Sequence, residues 1–424
     1  MVRSNSFARR FVTALSRPPM VIALCMGFAS GFPLLLTKTT LKTWLREEGI
    51  DLSTIGFFAA AGLPYTLKFL WAPLLDRYAP PILGRRRGWL FLAQACLVLG
   101  LAFMASVDPQ NQIGLVGFIA FWIAFFSATQ DIVVDAYRRE TLSDEELGLG
   151  SSLYVYGYRV ALWVTRTAPL FVAQYWSWQA AYLLMALLMA VNLLVTVLAR
   201  EPEVEGRTPE SLRAAVVEPL VEFFTRSRLR DAVLVLLFIL LYKVGDSYAS
   251  VLTAPFYIDL GFSKAEIGAV DGTVGFFTQI IGLLLGGLTI LRIGIMRSLW
   301  VFGILQMIST AGFVFLAELG NNTFGLGLVI GFENASSGMG TAAFVAYMAS
   351  LTDKRFTATQ YALLTSLMAV PLNLLGATSG LLAETLGWFN FFLACTLMAL
   401  PGLVLLYWIA PVTSATTVRR DPAP

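Results

Sequence analysis

The sequence predicts an all-α integral membrane fold of twelve transmembrane helices in two six-helix halves. Composition is the first of three observations behind this: 57% of residues are apolar, 13% are charged and the mean hydropathy is +0.72, far from the balance of a soluble domain. Second, apolar runs long enough to cross a bilayer recur twelve times, six on either side of a polar stretch from Arg200 to Arg230. Third, most Lys and Arg residues fall in alternate intervals between those runs, the asymmetry that orients a multi-span protein.

The first half, residues 1–200, holds runs near 19–42, 53–75, 88–106, 112–137, 149–173 and 178–199. Residues 201–230 form the connector, and the second half, 231–424, holds runs near 231–257, 265–290, 298–317, 323–350, 357–383 and 388–410. The Arg9-Arg10 pair ahead of the first run resembles the start of a signal peptide. That run is long and lacks a small-residue cleavage site, so it reads as the first helix. An offset of 212 residues, half of 424, sets Gly49 to Gly56 against Gly261 to Gly268 and Thr129 on Thr341, as expected of two copies of one unit. Pro33, Pro64, Pro73, Pro255 and Pro371 interrupt runs, which membranes tolerate where neighbours satisfy the freed backbone groups. The Gly27 to Gly31, Gly282 to Gly286 and Gly376 to Gly380 spacings predict close helix packing. Cys25, Cys96 and Cys395 lie in apolar runs at no metal-ligand spacing, read as packing residues and imply no disulfide framework.

Of the 30 Lys and Arg residues, 22 lie on one side of the expected topology, against only Lys42, Arg46 and Lys264 on the other. The 22 include Arg77, Arg85, Arg86, Arg87, Arg138 and Arg139 and the six arginines of the connector. Both termini are therefore expected on the cytoplasmic side. A net charge of +3, dispersed over loops, offers no face for nucleic acid. With no histidine, no clustered cysteines and no phosphate-loop pattern, the chain is not expected to be an enzyme or to hold a metal or cofactor.

Five cations, Lys38, Lys68, Arg159, Arg166 and Lys243, and five acids, Asp131, Asp135, Asp246, Asp271 and Glu333, fall inside spans. A charge at the bilayer centre costs roughly 2.5 to 3.5 kcal/mol on the insertion scale, so this balance predicts ion pairs around a central cavity. Asp131 and Asp135 lie one turn apart on one helical face. Two carboxylates so close disfavour joint ionisation, and without histidine they are the expected proton carriers. The structural alternative has them neutralised by Arg159 on the next helix. Lys243 and Asp246, three apart, are expected to pair, whether as a fixed salt bridge or as part of coupling. Trp44, Tyr154, Tyr158, Trp163 and Tyr242 are candidates to stack on sugar faces, interfacial anchoring being the commoner use of such residues.

Asp76-Arg77 followed by Gly84-Arg85-Arg86-Arg87 resembles the gating loop between helices two and three of major facilitators, stretched here by Tyr78 to Leu83. The six-plus-six pattern is that fold's own. Gly27-Phe28-Ala29-Ser30-Gly31-Phe32-Pro33-Leu34, Lys68 to Tyr78 and Gln130-Asp131-Ile132-Val133-Val134-Asp135-Ala136 resemble the AmpG-type muropeptide permeases of bacterial inner membranes. So do Tyr242-Lys243, Phe332-Glu333-Asn334 with Gly338-Met339-Gly340-Thr341, and Ala358 to Leu364 in the second half. This resemblance implies proton-driven import of anhydromuropeptides for peptidoglycan recycling by a monomer. Lys38, Lys68, Arg159, Lys243, Asp246, Glu333, Tyr154, Tyr158 and Trp44 would meet substrate, Asp131 and Asp135 would carry protons, and Asp76, Arg77, Arg85 and Arg86 would gate. Siderophore permeases among shorter relatives, a more distant acetyl-CoA branch and efflux are the alternative readings.

A reporter fusion at Arg213 tests the orientation. Activity confined to a cytoplasmic reporter is expected, and a periplasmically active fusion reverses the topology.

Overall fold

Every backbone donor and acceptor in hydrocarbon must be satisfied within the protein, which favours helices, and the described residues form helices with no strand among them. The structure, a computed structural model, describes residues 17–50, 54, 58–203, 211–226 and 229–418. Side chains at 38, 59, 60, 212, 264, 265, 369–378 and 410–418 lie outside the description, as do Arg9, Arg10 and most of the Gly49 to Gly56 repeat.

Eight segments among the described residues are long and apolar enough to cross a membrane. The expected runs at 53–75, 149–173, 323–350 and 357–383 are not among them, for local reasons. Pro64 and Pro73 each start a new short helix, so the second run is a chain of pieces: a 3-10 turn Phe58–Gly62, α3 (Leu63–Leu67), a 3-10 turn Lys68–Leu70 and α4 (Ala72–Arg77). The fifth run lies in α7 (Leu147–Tyr175), which carries Tyr154, Tyr158, Arg159 and Arg166, and the tenth in α15 (Thr323–Ser350), which carries Glu333 and Asn334. Part of the eleventh falls on side chains outside the description.

The chain divides into two compact units, Met1–Val217 with Ala349–Ala362, and Glu218–Met348 with Leu363–Pro424. The segment between the tenth and eleventh runs thus groups with the first unit. The connector, expected to be merely polar, contains helix α9 (Leu212–Thr225).

In the first unit, α1 (Pro18–Leu35), a π-helical turn Leu36–Thr40 and α2 (Leu41–Glu47) are joined by α5 (Arg85–Met104), α6 (Ile113–Thr141), α7 and α8 (Trp178–Leu198). Among the described elements the most extensive packing is between α1 and α7. A Cβ at Gly27 or Gly31 would collide with the carbonyl oxygen of Tyr154 or Tyr158, and one at Gly157 with that of Leu24, so the backbones meet where a side chain has no room. Pro33 has no N–H for the Ala29 carbonyl, and the buried Gln130 side chain on α6 donates to that oxygen instead, at 2.6 Å. Pro169 in α7 likewise frees the Thr165 carbonyl, which accepts from Thr40 Oγ1 at 3.2 Å. Both of these proline breaks are closed by a side chain from another element. The apolar core of this unit gathers Phe32, Trp44, Trp178, Tyr182 and Met185.

In the second unit the seventh run is broken at Tyr242–Lys243 into α10 (Leu229–Leu241) and α11 (Val244–Asp259), whereas Pro255 sits inside α11 without ending it. Next come α12 (Lys264–Ala269), a π-helical turn Val270–Gly275, α13 (Phe276–Ile293), α14 (Ile295–Leu319), α15, α16 (Thr357–Leu397, kinked at Gly387) and α17 (Leu400–Val418). Gly282 lies against the Ala335 carbonyl as its spacing predicts, but among the described residues nothing lies within 4 Å of a Cβ at Gly380. Phe256, Phe313, Phe391 and Phe392 form the core. Gly49 and Gly261 end equivalent helices with φ of 80° and 86°. Both turns pair the next residue's N–H five residues back, Ile50 to Leu45 and Phe262 to Tyr257, an identical left-handed stop in each half.

Replacing Gln130 by Leu leaves the Ala29 carbonyl without its donor and is expected to cost about 1–3 kcal/mol. Gly27→Ala is expected to lift α1 from α7. Thermal unfolding of the purified protein checks both, and melting temperatures equal to the parent's would contradict this packing.

Candidate functional site

On α6 the carboxyl groups of Asp131 and Asp135 are built into one polar chain. Ser30 on α1 donates its hydroxyl to Asp131 Oδ1, and Ser30 Oγ lies 3.0 Å from Tyr154 Oη on α7. The close approach of α1 and α7 at Gly27 and Gly157 is what brings Ser30 and Tyr154 together. Tyr154 is also within hydrogen-bonding range of Asp135. Asp135 Oδ1 pairs with Arg138 Nη2 at 3.2 Å, one turn further along α6. The Arg138 guanidinium lies over the ring of Tyr154, 4.2 Å from its centroid, and 5.4 Å from that of Tyr361. It also donates to Tyr361 Oη at 2.9 Å. Lys68, half-buried on the broken second run, places its positive charge near both aspartates, and Tyr65 and Tyr158 face Asp131.

Five of the residues predicted from sequence, Asp131, Asp135, Lys68, Tyr154 and Tyr158, therefore come together. The ion-pair partner differs from the structural alternative: Arg138 pairs with Asp135, whereas Arg159 is half-buried beside Tyr158. Arg138 was assigned to a loop, but α6 continues to Thr141 and buries it. Trp44 does not join the group. It is fully buried, stacks on Trp178 at 6.0 Å, lies tilted against Tyr182 at 5.3 Å and donates to Glu48 at 3.1 Å, so no face is left for a sugar. The Lys38 side chain lies outside the description. Ser30, Arg138 and Tyr361 were not anticipated as site residues, although Ser30 and Tyr361 stand within the motifs that carry the family resemblance.

In the second unit Lys243, at the break between α10 and α11, pairs with Asp246 Oδ2 at 3.4 Å as its spacing predicts, and donates to Thr341 Oγ1 at 2.9 Å. Glu333 lies beside Asp246, Lys243 and Ser309. The sequence equivalent of Thr341, Thr129, also accepts a side-chain hydrogen bond, from Trp71 Nε1 at 3.0 Å, a donor at a non-equivalent position.

A third polar cluster joins α4, α5, α6 and the start of α16. Asp76 is fully buried, pairs with Arg86 Nη2 at 2.7 Å, and accepts from the backbone N–H of Ala358 and Thr359 at 3.2 and 2.8 Å and from Thr359 Oγ1 at 2.7 Å. A carboxylate at those first-turn donors satisfies orphan groups and meets the positive end of the helix dipole. Arg86, also fully buried, bonds Glu140 through Nε at 3.0 Å and the Leu75 carbonyl at 3.1 Å. Arg85 reaches Glu140 at 3.4 Å, and Glu201 accepts from the N–H of Arg86 and Arg87 at 2.7 and 2.9 Å. Arg77 lies over the Tyr78 ring at 5.5 Å. Glu140 and Glu201 were not anticipated, since their partners are distant in sequence. Arg86→Met leaves Asp76 without its ion-pair partner and Glu140 with only the longer contact to Arg85, and is expected to destabilise by roughly 3–5 kcal/mol, read as a lowered melting temperature. An unchanged value would mean that the pair contributes nothing.

Comparison with known proteins bears on the whole chain. The Major Facilitator Superfamily profile matches residues 20–374. The anhydromuropeptide permease of Escherichia coli is 43% identical over 94% of this chain and 81% of its own length. An uncharacterised protein of Haemophilus influenzae is 42% identical over 96% of this chain and 97% of its own. Among solved structures, the proton:xylose symporter XylE bound to 6-bromo-6-deoxy-D-glucose superposes with a TM-score of 0.68 at 10% identity, covering 92% of this chain and 94% of that one. At that identity the likeness speaks to the fold alone. By profile and by relatives matched along nearly its whole length, the chain belongs to the Major Facilitator Superfamily of membrane transporters.

Proposed function

We propose that this transporter imports anhydromuropeptides across the bacterial inner membrane by proton symport, as a monomer with both termini cytoplasmic. The observation that carries the cargo is the 43% identity, over 94% of the chain, to the Escherichia coli anhydromuropeptide permease. The chemistry of the site supports it. Such a substrate presents peptide carboxylates and sugar faces. Lys68, Arg159 and Lys243 are cations on the polar stretches of the spans, with Asp246 and Glu333 beside Lys243. Tyr154 and Tyr158 flank the aspartates. Lys38 is assigned to the same task from sequence.

Proton coupling rests on Asp131 and Asp135. A carboxyl that gains a proton loses its hold on a cation and turns from acceptor to donor, so protonation rewires the chain Ser30–Asp131 and Asp135–Arg138 without displacing the backbone. Asp76, with Arg85 and Arg86 around Glu140, supplies the gate: its carboxylate holds the first turn of α16, and releasing that turn frees the Ala349–Ala362 segment from α4. Arg77 belongs to the same loop. The arginine-rich intervals support the orientation.

Uptake of labelled anhydromuropeptide, siderophore and acetyl-CoA into proteoliposomes with an imposed inward proton gradient tests the reading. Only the muropeptide is expected to be concentrated. Asp131→Asn and Asp135→Asn are expected to abolish accumulation while the protein stays inserted and exchange persists. Siderophore accumulation alone would replace the cargo, and undiminished accumulation by both variants would leave the aspartates a structural role.

A further inference from the structure

Arg138 retains only 2% of its surface, yet its polar contacts run through a single nitrogen. Nη2 carries both the 3.2 Å ion pair with Asp135 and the 2.9 Å donation to Tyr361, whereas Nε and Nη1 are buried without a hydrogen-bond partner. Buried donors left unsatisfied are costly, the more so on a charged group. The Tyr154 ring lies 4.2 Å and the Tyr361 ring 5.4 Å from the guanidinium carbon, cation–π contacts that leave the N–H groups of its edge for a ligand. A guanidinium grips a carboxylate through two adjacent nitrogens, either Nη2 with Nε or Nη2 with Nη1. Both forks contain Nη2, the nitrogen that Asp135 occupies.

We propose that Arg138 binds the carboxylate of the substrate's peptide and that this carboxylate replaces Asp135 when Asp135 takes up a proton. The inference rests on the muropeptide reading above and adds Arg138 to the cations expected to hold the peptide. The exchange conserves charge. Before it, the buried pair is Asp135 carboxylate and Arg138 cation; after it, Asp135 is neutral and the incoming carboxylate balances Arg138. A carboxylate entering without the proton would leave one uncompensated negative charge in a buried site, and a proton entering alone would leave the guanidinium unpaired. One proton therefore accompanies one carboxylate.

The groups facing this pair fit the exchange. Asp131 shares α6, Lys68 approaches from the second run, and Tyr154 from α7 can bond Asp135 in either protonation state. Tyr361 is the removable cover, coming from the Ala349–Ala362 segment rather than from α1 to α8. Once it withdraws, the Nη2 edge opens.

The full chain in proteoliposomes tests this with two probes: GlcNAc-anhydroMurNAc-tripeptide and the same compound with its peptide carboxyls converted to amides. The parent is expected to favour the acid by about tenfold or more in KM, the worth of a charge-assisted pair. In Arg138→Gln that preference is expected to fall towards one, with Arg138→Lys intermediate. Asp135→Asn, which permanently removes the carboxylate that competes for Nη2, is expected to exchange the acid form at a rate independent of pH. An acid-to-amide ratio in Arg138→Gln equal to the parent's overturns the proposal, whether overall uptake is kept or lost in equal measure. A parent that carries neither probe refutes the cargo reading instead.

Discussion

A charge placed in hydrocarbon costs more than most single contacts return, so every ionised side chain on a membrane-length helix must bring its own compensation. In this protein the compensation is assembled on α6, where Asp131, Asp135 and Arg138 stand one turn apart and are completed from neighbouring elements. Ser30 comes from α1, Tyr154 from α7 and Tyr361 from α16. The arrangement depends on small residues elsewhere. Without Gly27, Gly31 and Gly157 the α1 and α7 backbones would stand apart and the hydroxyls of Ser30 and Tyr154 would not meet. Gln130, next to Asp131, secures the same region by closing the carbonyl that Pro33 leaves open.

The same principle explains the other polar clusters. Asp76, Arg86 and Glu140 are fully or nearly buried and so hold one another, with the backbone of α16 and the Leu75 carbonyl taking the remaining valences. Such a network is rigid while complete, because removing one member strands the others. In the second unit, Lys243 divides its donors between Asp246 and Thr341, and Glu333 lies close by.

Much of this was legible in the residues. Composition and the apolar runs point to the membrane and the helical class, and the repeat of Gly49 at Gly261 reappears as one turn geometry in both halves. The one-turn spacing of Asp131 and Asp135 puts those side chains on one face because the helix itself fixes its neighbours, and Lys243, at the N-terminal cap of α11, still reaches Asp246 in its first turn. What sequence did not reveal is non-local. Arg138 looked like a loop cation because its run of apolar residues ends before it, yet the helix continues and buries it. Trp44 looked available to a sugar because an aromatic residue carries no mark of its partners, and the structure buries it against Trp178 and Tyr182. Glu140 and Glu201 find their arginines across more than fifty residues of chain. The second run reads as one span by hydropathy, whereas its two prolines divide it.

The central claim is that an anionic substrate and a proton enter the buried network together. Proton flux measured with a pH-sensitive dye trapped inside proteoliposomes, with no gradient imposed, tests it most directly. Adding anhydromuropeptide outside is expected to acidify the lumen in proportion to the amount taken up. Uptake of the muropeptide without any change in internal pH would contradict the account.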